Sequence, residues 1–245
     1  MDVTWGAAGF ILGAIVGSFL AVAAIRWPAG RDLGGRSACD ACGRTLNMVD
    51  LVPILGFLVR RGRCASCLEA IDRRHLAIEL ASALIGGLAF ALAPGIDGIA
   101  GAIFGWFLLL LAVLDVEHFW LPDRATGPMA LTGIAAGAAG AMPFPNDRLI
   151  GGAAGFLSLW LVARIYRAVR RHEGMGGGDP KLFGAIGAWL GWAVLPFVLL
   201  GASLVGLAVV LCARILRRDI KADTHLPFGA LLAVAAWAVW IVQAG

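Results

Sequence analysis

The sequence predicts an all-α polytopic membrane protein of about eight transmembrane helices, with a small zinc-binding domain between the first and second. Three observations predict it. Of the 245 residues, 60% are hydrophobic and only 15% are charged, against about 25% charged in an ordinary soluble domain. The apolar residues fall into repeated stretches near the ~20 residues a helix needs to cross a bilayer. Four of the five cysteines form two Cys-x-x-Cys pairs inside the one extended polar segment. The 34 glycines suit packed membrane helices, where small residues let backbones approach.

In chain order, the first apolar stretch spans about 5–26. Met1-Asp2-Val3-Thr4 gives it no basic start and the basic residues follow it, which reads as an uncleaved membrane helix rather than a signal peptide. The polar segment from Pro28 to His75 is the one soluble piece. Apolar candidates follow at about 76–94, 97–116, 125–143, 149–168, 181–199, 200–216 and 226–244. The sixth and seventh of the eight form one long run, divided at Pro196 to Gly201.

Charge then sets the orientation. With eight spans, every Lys and Arg except Arg148 falls on the side of the loops around 27–75, 115–124, 167–180 and 214–225. By the positive-inside rule that side is cytosolic and both termini lie outside. The predicted organisation is a first transmembrane helix (1–27), a cytosolic four-cysteine domain (28–75) and a seven-helix membrane core (76–245). The net charge of +4 comes from residues at the ends of apolar segments, not from a basic face, which excludes a nucleic-acid-binding domain.

Cys39-x-x-Cys42 and Cys64-x-x-Cys67 are separated by 21 residues. Each pair can present two thiolates from one tight turn, and two such knuckles complete a tetrahedral zinc shell. Gly43 and Gly62 suit the sharp turns beside them. With four protein ligands no position is open, so the zinc is structural. Disulfides and a thiol redox pair are the alternatives; a cytosolic setting disfavours the first, and no thioredoxin-like βαβ pattern surrounds either pair. About fifty residues bury little core, so a metal staple suits the segment. Cys212, within an apolar helix, reads as a buried core residue.

The run Gly174-Met175-Gly176-Gly177-Gly178-Asp179-Pro180-Lys181-Leu182 sets a carboxylate at the mouth of an apolar segment. An Asp at mid-membrane costs about 2.5–3.5 kcal/mol on insertion scales, and a helix entrance less. Asp115 ends the third apolar segment, at the same cytosolic depth as Asp179. A two-carboxylate site needs that common depth. One group takes a proton from water while the other, protonated, polarises the scissile carbonyl. Helix capping is the competing explanation for each. Asp123, after Pro122, suits a cap, and Asp179 could cap its helix with Lys181 as charge partner. A phosphate-binding loop is disfavoured by the absence of a preceding strand and of a Gly-Lys-Ser/Thr ending. Glu117, His118, Asp219, Asp223 and His225 read as solvated loop residues, and nothing around the four histidines suggests a Ser–His or Cys–His nucleophile.

The glycine run matches the Gly-x-Gly-Asp signature of intramembrane aspartic proteases, and the chain nearly end to end resembles the bacterial type IV prepilin peptidases, or leader peptidase/N-methyltransferases. Gly17-Ser18-Phe19-Leu20 with Arg26-Trp27-Pro28 resembles the opening motif. Asp50-Leu51-Val52-Pro53-Ile54-Leu55-Gly56 and Arg61-Gly62-Arg63 stand between the cysteine pairs, followed by Glu79-Leu80. Asp115 with Leu121-Pro122-Asp123 resembles the first catalytic motif and Glu173 to Leu182 the second. Leu226-Pro227-Phe228-Gly229 resembles a motif before the last helix. Three positions depart: Ala21 stands for a common Asn, Arg74-His75 for Tyr-Pro, and Ala230 for Pro.

The resemblance implies Asp115 and Asp179 as the catalytic pair, Gly174, Gly176, Gly178 and Lys181 in the active-site loop, and zinc on the four cysteines. It implies cleavage of the short basic leader of prepilins or pseudopilins after a glycine, at the cytosolic face of the bacterial inner membrane. Methylation of the new N-terminus, usually Phe, from S-adenosylmethionine would follow. Two departures fall in or next to the region linked to methyl transfer, and no segment reads as a Rossmann-type methyltransferase. The rival readings are a non-enzymatic membrane assembly factor with a zinc docking domain, a peptidase without methyl transfer, and a Gly-x-Gly-Asp protease cutting within transmembrane helices.

Overall fold

The computed structural model describes residues 3–39, 41–171, 175–216 and 226–245. Among them it contains nine helices and no strand, only two isolated bridges. The chain forms two compact units, Met1–Pro94 and Gly95–Gly245.

In the first unit, α1 (Val3–Arg26) packs along α3 (Arg73–Leu92). Glycines at every fourth position of α1 make the contact so close that a Cβ on Gly9 or Gly13 would overlap the α3 carbonyls of Gly86 or Ser82. A Cβ on Gly17 would stand 2.7 Å from the Glu79 Cα. Ser82 Oγ donates to the Gly13 carbonyl at 2.6 Å, satisfying a hydroxyl that lipid could not. Trp5, Ile11, Ile15 and Phe19 are exposed on α1, as lipid-facing residues would be.

Between these helices lie two small knuckles and the short α2 (Leu55–Val59). Asp50 joins them: it accepts from the Asn47 amide at 3.2 Å and from Arg60 Nε at 2.8 Å, and pairs with Arg44 at 3.4 Å. The Asn47 amide first, then Arg60 and Arg44, hold its carboxyl below the usual range against the opposing effect of burial. Asp72 caps α3 by accepting the Arg74 amide at 2.9 Å.

The second unit holds α4 (Ile96–His118), α5 (Asp123–Ala138), α6 (Pro145–Arg170), α7 (Asp179–Leu190), α8 (Leu195–Ile215) and α9 (Phe228–Ala244). Every residue of α7 except Lys181 is buried. It meets α6 backbone to backbone, since a Cβ on Gly151 or Gly187 would overlap the other's carbonyl. Trp189 fixes its other sides, donating Nε1–H to the Met129 carbonyl of α5 at 2.7 Å and stacking on Phe104 of α4 with ring centroids 5.3 Å apart.

The eight predicted apolar segments correspond in order to the eight longer helices. Five of these, α1, α3, α4, α6 and α8, are long and apolar enough to cross a membrane; α9, with 17 residues, is apolar but shorter. α7 is only 12 residues. The predicted division at Pro196 to Gly201 moves to Gly191–Val194, because Gly191 turns the chain at φ +78°. Pro196 instead stands in the first turn of α8, where its missing N–H costs no helical bond.

Arg148, predicted as the lone basic residue of the outer side, is turned into the protein and is 1% exposed. Its guanidinium donates to the carbonyls of Gly133 and Pro143 at 2.8 Å, Met142 at 2.6 Å, and Ala141 and Ala188 at 3.3 Å. One side chain thus ties α5, α6, their connection and the end of α7. Arg148→Ala should lower the thermal unfolding midpoint of the purified protein, by the equivalent of at least about 2 kcal/mol, since it strips donors from buried carbonyls. Arg148→Lys, with fewer donors on a point charge, should recover only part. An unchanged midpoint in Arg148→Ala would contradict this account.

Candidate active site and metal centre

Asp115 lies in the last turn of α4, where Phe119 ends the helix with φ +50° and its amide bonded to the Asp115 carbonyl at 2.9 Å. Asp179 is the first residue of α7, after Gly178. Each is 5% exposed, and the two sit close enough for the Asp115 charge to act on Asp179. The fold thus brings together two carboxylates 64 residues apart in sequence.

Their surroundings differ. Asp115 Oδ2 accepts the Ala230 amide at 2.9 Å, and the Gly229 amide also points at this carboxylate. Both amides come from the first turn of α9, whose otherwise unsatisfied N–H groups suit an anion. Gly229 eases this approach, since a Cβ would lie 3.0 Å from Asp115 Oδ2 and 2.9 Å from Leu121 Cδ1. Asp179 has the Gly176 amide on its carboxyl group. A Cβ on Gly178 would come within 2.6 Å of the Leu121 side chain, so that glycine lets the loop close over the 119–122 turn.

Asp123 stands apart from the pair. Its side chain is 74% exposed and takes Lys181 Nζ at 2.6 Å, linking the starts of α5 and α7. The capping roles predicted from sequence change accordingly. Pro122 and Gly178 occupy the N-cap positions of α5 and α7, neither helix has a side-chain cap, and Lys181 partners Asp123 rather than Asp179. Gly174 of the predicted loop lies outside the described residues, as do Glu173, Asp219, Asp223 and His225. The Gly229 and Ala230 amides were not legible as site groups, since a backbone donor has no residue signature.

In the first unit, the Sγ atoms of Cys39, Cys42, Cys64 and Cys67 all lie within 4.8 Å of one another. Cys39 and Cys67 are 3.8 Å apart, and Cys42 and Cys64 4.0 Å. A tetrahedron with Zn–S bonds of ~2.3 Å has edges of about 3.8 Å, so the donor set fits a four-coordinate thiophilic ion. A disulfide needs about 2.05 Å, and all four are free. The two knuckles share one backbone pattern. Cys39 N–H donates to the Arg44 carbonyl and Gly43 N–H to Cys39; Cys64 N–H donates to Glu69 and Leu68 N–H to Cys64. The equivalent Gly43 and Leu68 both have positive φ, +71° and +60°. Amides of Cys67 and Ser66 directed at the Cys64 sulfur push its pKa down to about 6, towards the thiolate that binds metal. Cys212, predicted as buried, is exposed on α8, where lipid contact suits a thiol as well as a protein core does.

Comparison with known proteins gives this arrangement a family. Residues 11–93 match the bacterial peptidase A24 N-terminal domain, and residues 102–211 match the type IV leader peptidase family. The chain is 38% identical over 203 residues to a prepilin leader peptidase/N-methyltransferase of Aeromonas hydrophila, covering 82% of this chain and 70% of that one. A protein of the same name from Pseudomonas aeruginosa is 38% identical, with 82% and 69% covered. Another from Pseudomonas putida is 33% identical over 252 residues, with 93% and 87% covered. No solved structure matches the chain. With both its cysteine-bearing unit and its aspartate-bearing unit matched in order, this integral membrane protein belongs to the type IV leader peptidase family.

Proposed function

We propose that this protein cleaves the leader from prepilins or pseudopilins at the cytosolic face of the bacterial inner membrane, with Asp115 and Asp179 as the catalytic pair, and then methylates the freed N-terminus. The observation that carries the reading is the meeting of these two buried carboxylates at one end of α4 and α7. Like charges held close favour a singly protonated pair, the state an aspartic protease uses.

The surroundings suggest the division of labour. Asp115, accepting amide hydrogens from the start of α9, is the better placed of the two to carry the negative charge and acts as the base. Asp179 carries the shared proton. Asp115 takes a proton from water as the water oxygen adds to the scissile carbonyl carbon, and Asp179 gives its proton to the carbonyl oxygen. Collapse breaks the C–N bond as Asp179 takes back a hydroxyl proton and the proton held by Asp115 passes to the leaving amine. Lys181 acts through Asp123, holding the glycine loop against the start of α5.

Zinc in the four-cysteine site would be structural, since four thiolates leave no open position. S-adenosylmethionine supplies, when bound, a methyl group on a sulfonium. The basic loops favour an anionic cytosolic leaflet.

Asp179→Asn or Asp115→Asn, in a folded protein, should reduce prepilin cleavage at least a thousandfold, read by mass spectrometry of the substrate. Normal cleavage by folded Asp179→Asn protein would sink the aspartate mechanism. Ala230→Pro removes one donor to Asp115 at a first-turn position that tolerates proline. It should slow cleavage about tenfold, the equivalent of about 1.4 kcal/mol. Wild-type rates in that variant would show that the amide does not support the base. Metal analysis should find one zinc per chain. Cys64→Ser should release it and expose residues 27–72 to protease, whereas a fully resistant zinc-free protein would remove the structural role.

A further inference from the structure

Asp115 and Asp179 stand on different helices, and the amides that support Asp115 come from a third. The spacing of the carboxylates therefore depends on what lies between the end of α4, the glycine loop and the start of α9. Leu121, half-buried in the turn that joins α4 to α5, touches all three. A Cβ on Gly178, the residue before Asp179, would come within 2.6 Å of Leu121 Cβ and 3.2 Å of its Cδ1. A Cβ on Gly229, next to the Ala230 amide that Asp115 accepts, would come within 2.9 Å of the same Cδ1. One isobutyl group thus fills the gap against which both backbones close.

The turn that carries Leu121 is held at both ends. Phe119, in the left-handed region at φ +50°, bonds its amide to the Asp115 carbonyl at 2.9 Å, so the turn starts from the catalytic residue itself. An aromatic residue rarely adopts that backbone, which marks the turn as one imposed by its surroundings. At the other end the Pro122 carbonyl accepts the Ala125 and Thr126 amides at 2.9 and 3.0 Å, tying the turn to α5. Standing before a proline, Leu121 is restricted to extended backbone. Its side chain has no proton to give and no charge, so whatever it contributes to the reaction it contributes by occupying space. We infer that Leu121 is a positioning residue: held between Gly178 and Gly229, it sets how far the Asp179 loop and the α9 amides stand from Asp115, and so the spacing of the catalytic pair. The inference rests on the aspartate reading of the proposed function.

Cleavage kinetics of full-length protein in lipid nanodiscs, with a purified prepilin as substrate, test it; zinc content and melting midpoint are the controls of folding. A misplacement of reacting groups by 1 Å can cost about a hundredfold in rate. Leu121→Ala, which empties the gap, should lower kcat about thirtyfold and leave KM unchanged, because a residue that acts only through the carboxylates affects the chemical step and not substrate binding. Leu121→Met, which keeps the volume, should restore kcat to near the wild-type value. Leu131→Ala, at an exposed position of α5, should leave both parameters as in the wild type. If Leu121→Ala does not fold, Leu121→Val, shorter by a carbon, decides, with a smaller loss in kcat alone. Wild-type kcat in the folded shortened variant, with Asp179→Asn inactive, overturns the inference and leaves the aspartate pair standing. A raised KM at unchanged kcat also overturns it, since Leu121 would then contact the substrate. So does a Leu121→Met variant as slow as Leu121→Ala. Normal cleavage by folded Asp179→Asn protein overturns the aspartate reading and this inference with it.

Discussion

The second unit depends on one constraint: two carboxylates have to be buried beside each other in a bundle made almost wholly of apolar residues. A charge in such a place needs hydrogen-bond donors, and a membrane interior supplies none. The fold takes them from backbone. The first turn of α9 directs two amides at Asp115, and the Gly176 amide attends Asp179. Backbone donors reach a buried carboxylate only where chains approach closely, and that is where Gly178 and Gly229 stand against Leu121. The position of α7 follows, because its first residue must meet the end of α4. At its far end Arg148 and Trp189 hold it to α5 and α6, and at its near end Lys181 reaches Asp123. A helix of 12 residues fixed at both ends has little freedom to carry Asp179 away from its partner.

The first unit solves a different problem by the same means. Gly9, Gly13 and Gly17 seat α1 on α3, and the contact brings Arg26 and Arg73 to the same end of the helix pair. The segment between them is too short for a self-sufficient core. Four thiolates around one ion, and the Asp50 contacts to Arg44 and Arg60, substitute for buried apolar area. Within the membrane, small residues let helices touch.

The parts legible in the sequence were those whose chemistry is carried by side-chain type. Two Cys-x-x-Cys pairs announce a tetrahedral donor set whatever the intervening fold, and an Asp after a glycine cluster at an apolar boundary announces itself as costly. The helices followed from apolar length alone. What stayed hidden was direction and depth. Arg148 at a segment boundary counts the same for topology whether it faces water or five carbonyls, so its inward turn left no trace in the charge pattern. The run from 181 to 216 is apolar throughout, so the break at Gly191 was masked by Pro196, a stronger signal that serves here to start a helix. The common hairpin of the two knuckles was also invisible, because glycine fills the left-handed position in one and leucine in the other.

The three departures from the family pattern are not spread evenly over the chain. Ala21 and Arg74-His75 fall in the first unit: Ala21 is fully buried on α1, and Arg74-His75 stand in the first turn of α3. Replacing an amide side chain by a methyl at a fully buried position removes a donor and an acceptor from the packed pair of α1 and α3. Ala230 is the departure in the second unit and works in the opposite sense, since alanine has an amide hydrogen where proline has none, and that hydrogen reaches Asp115. Relative to the family pattern, the first unit has a methyl where an amide side chain is common, and the second has a backbone donor at its carboxylate.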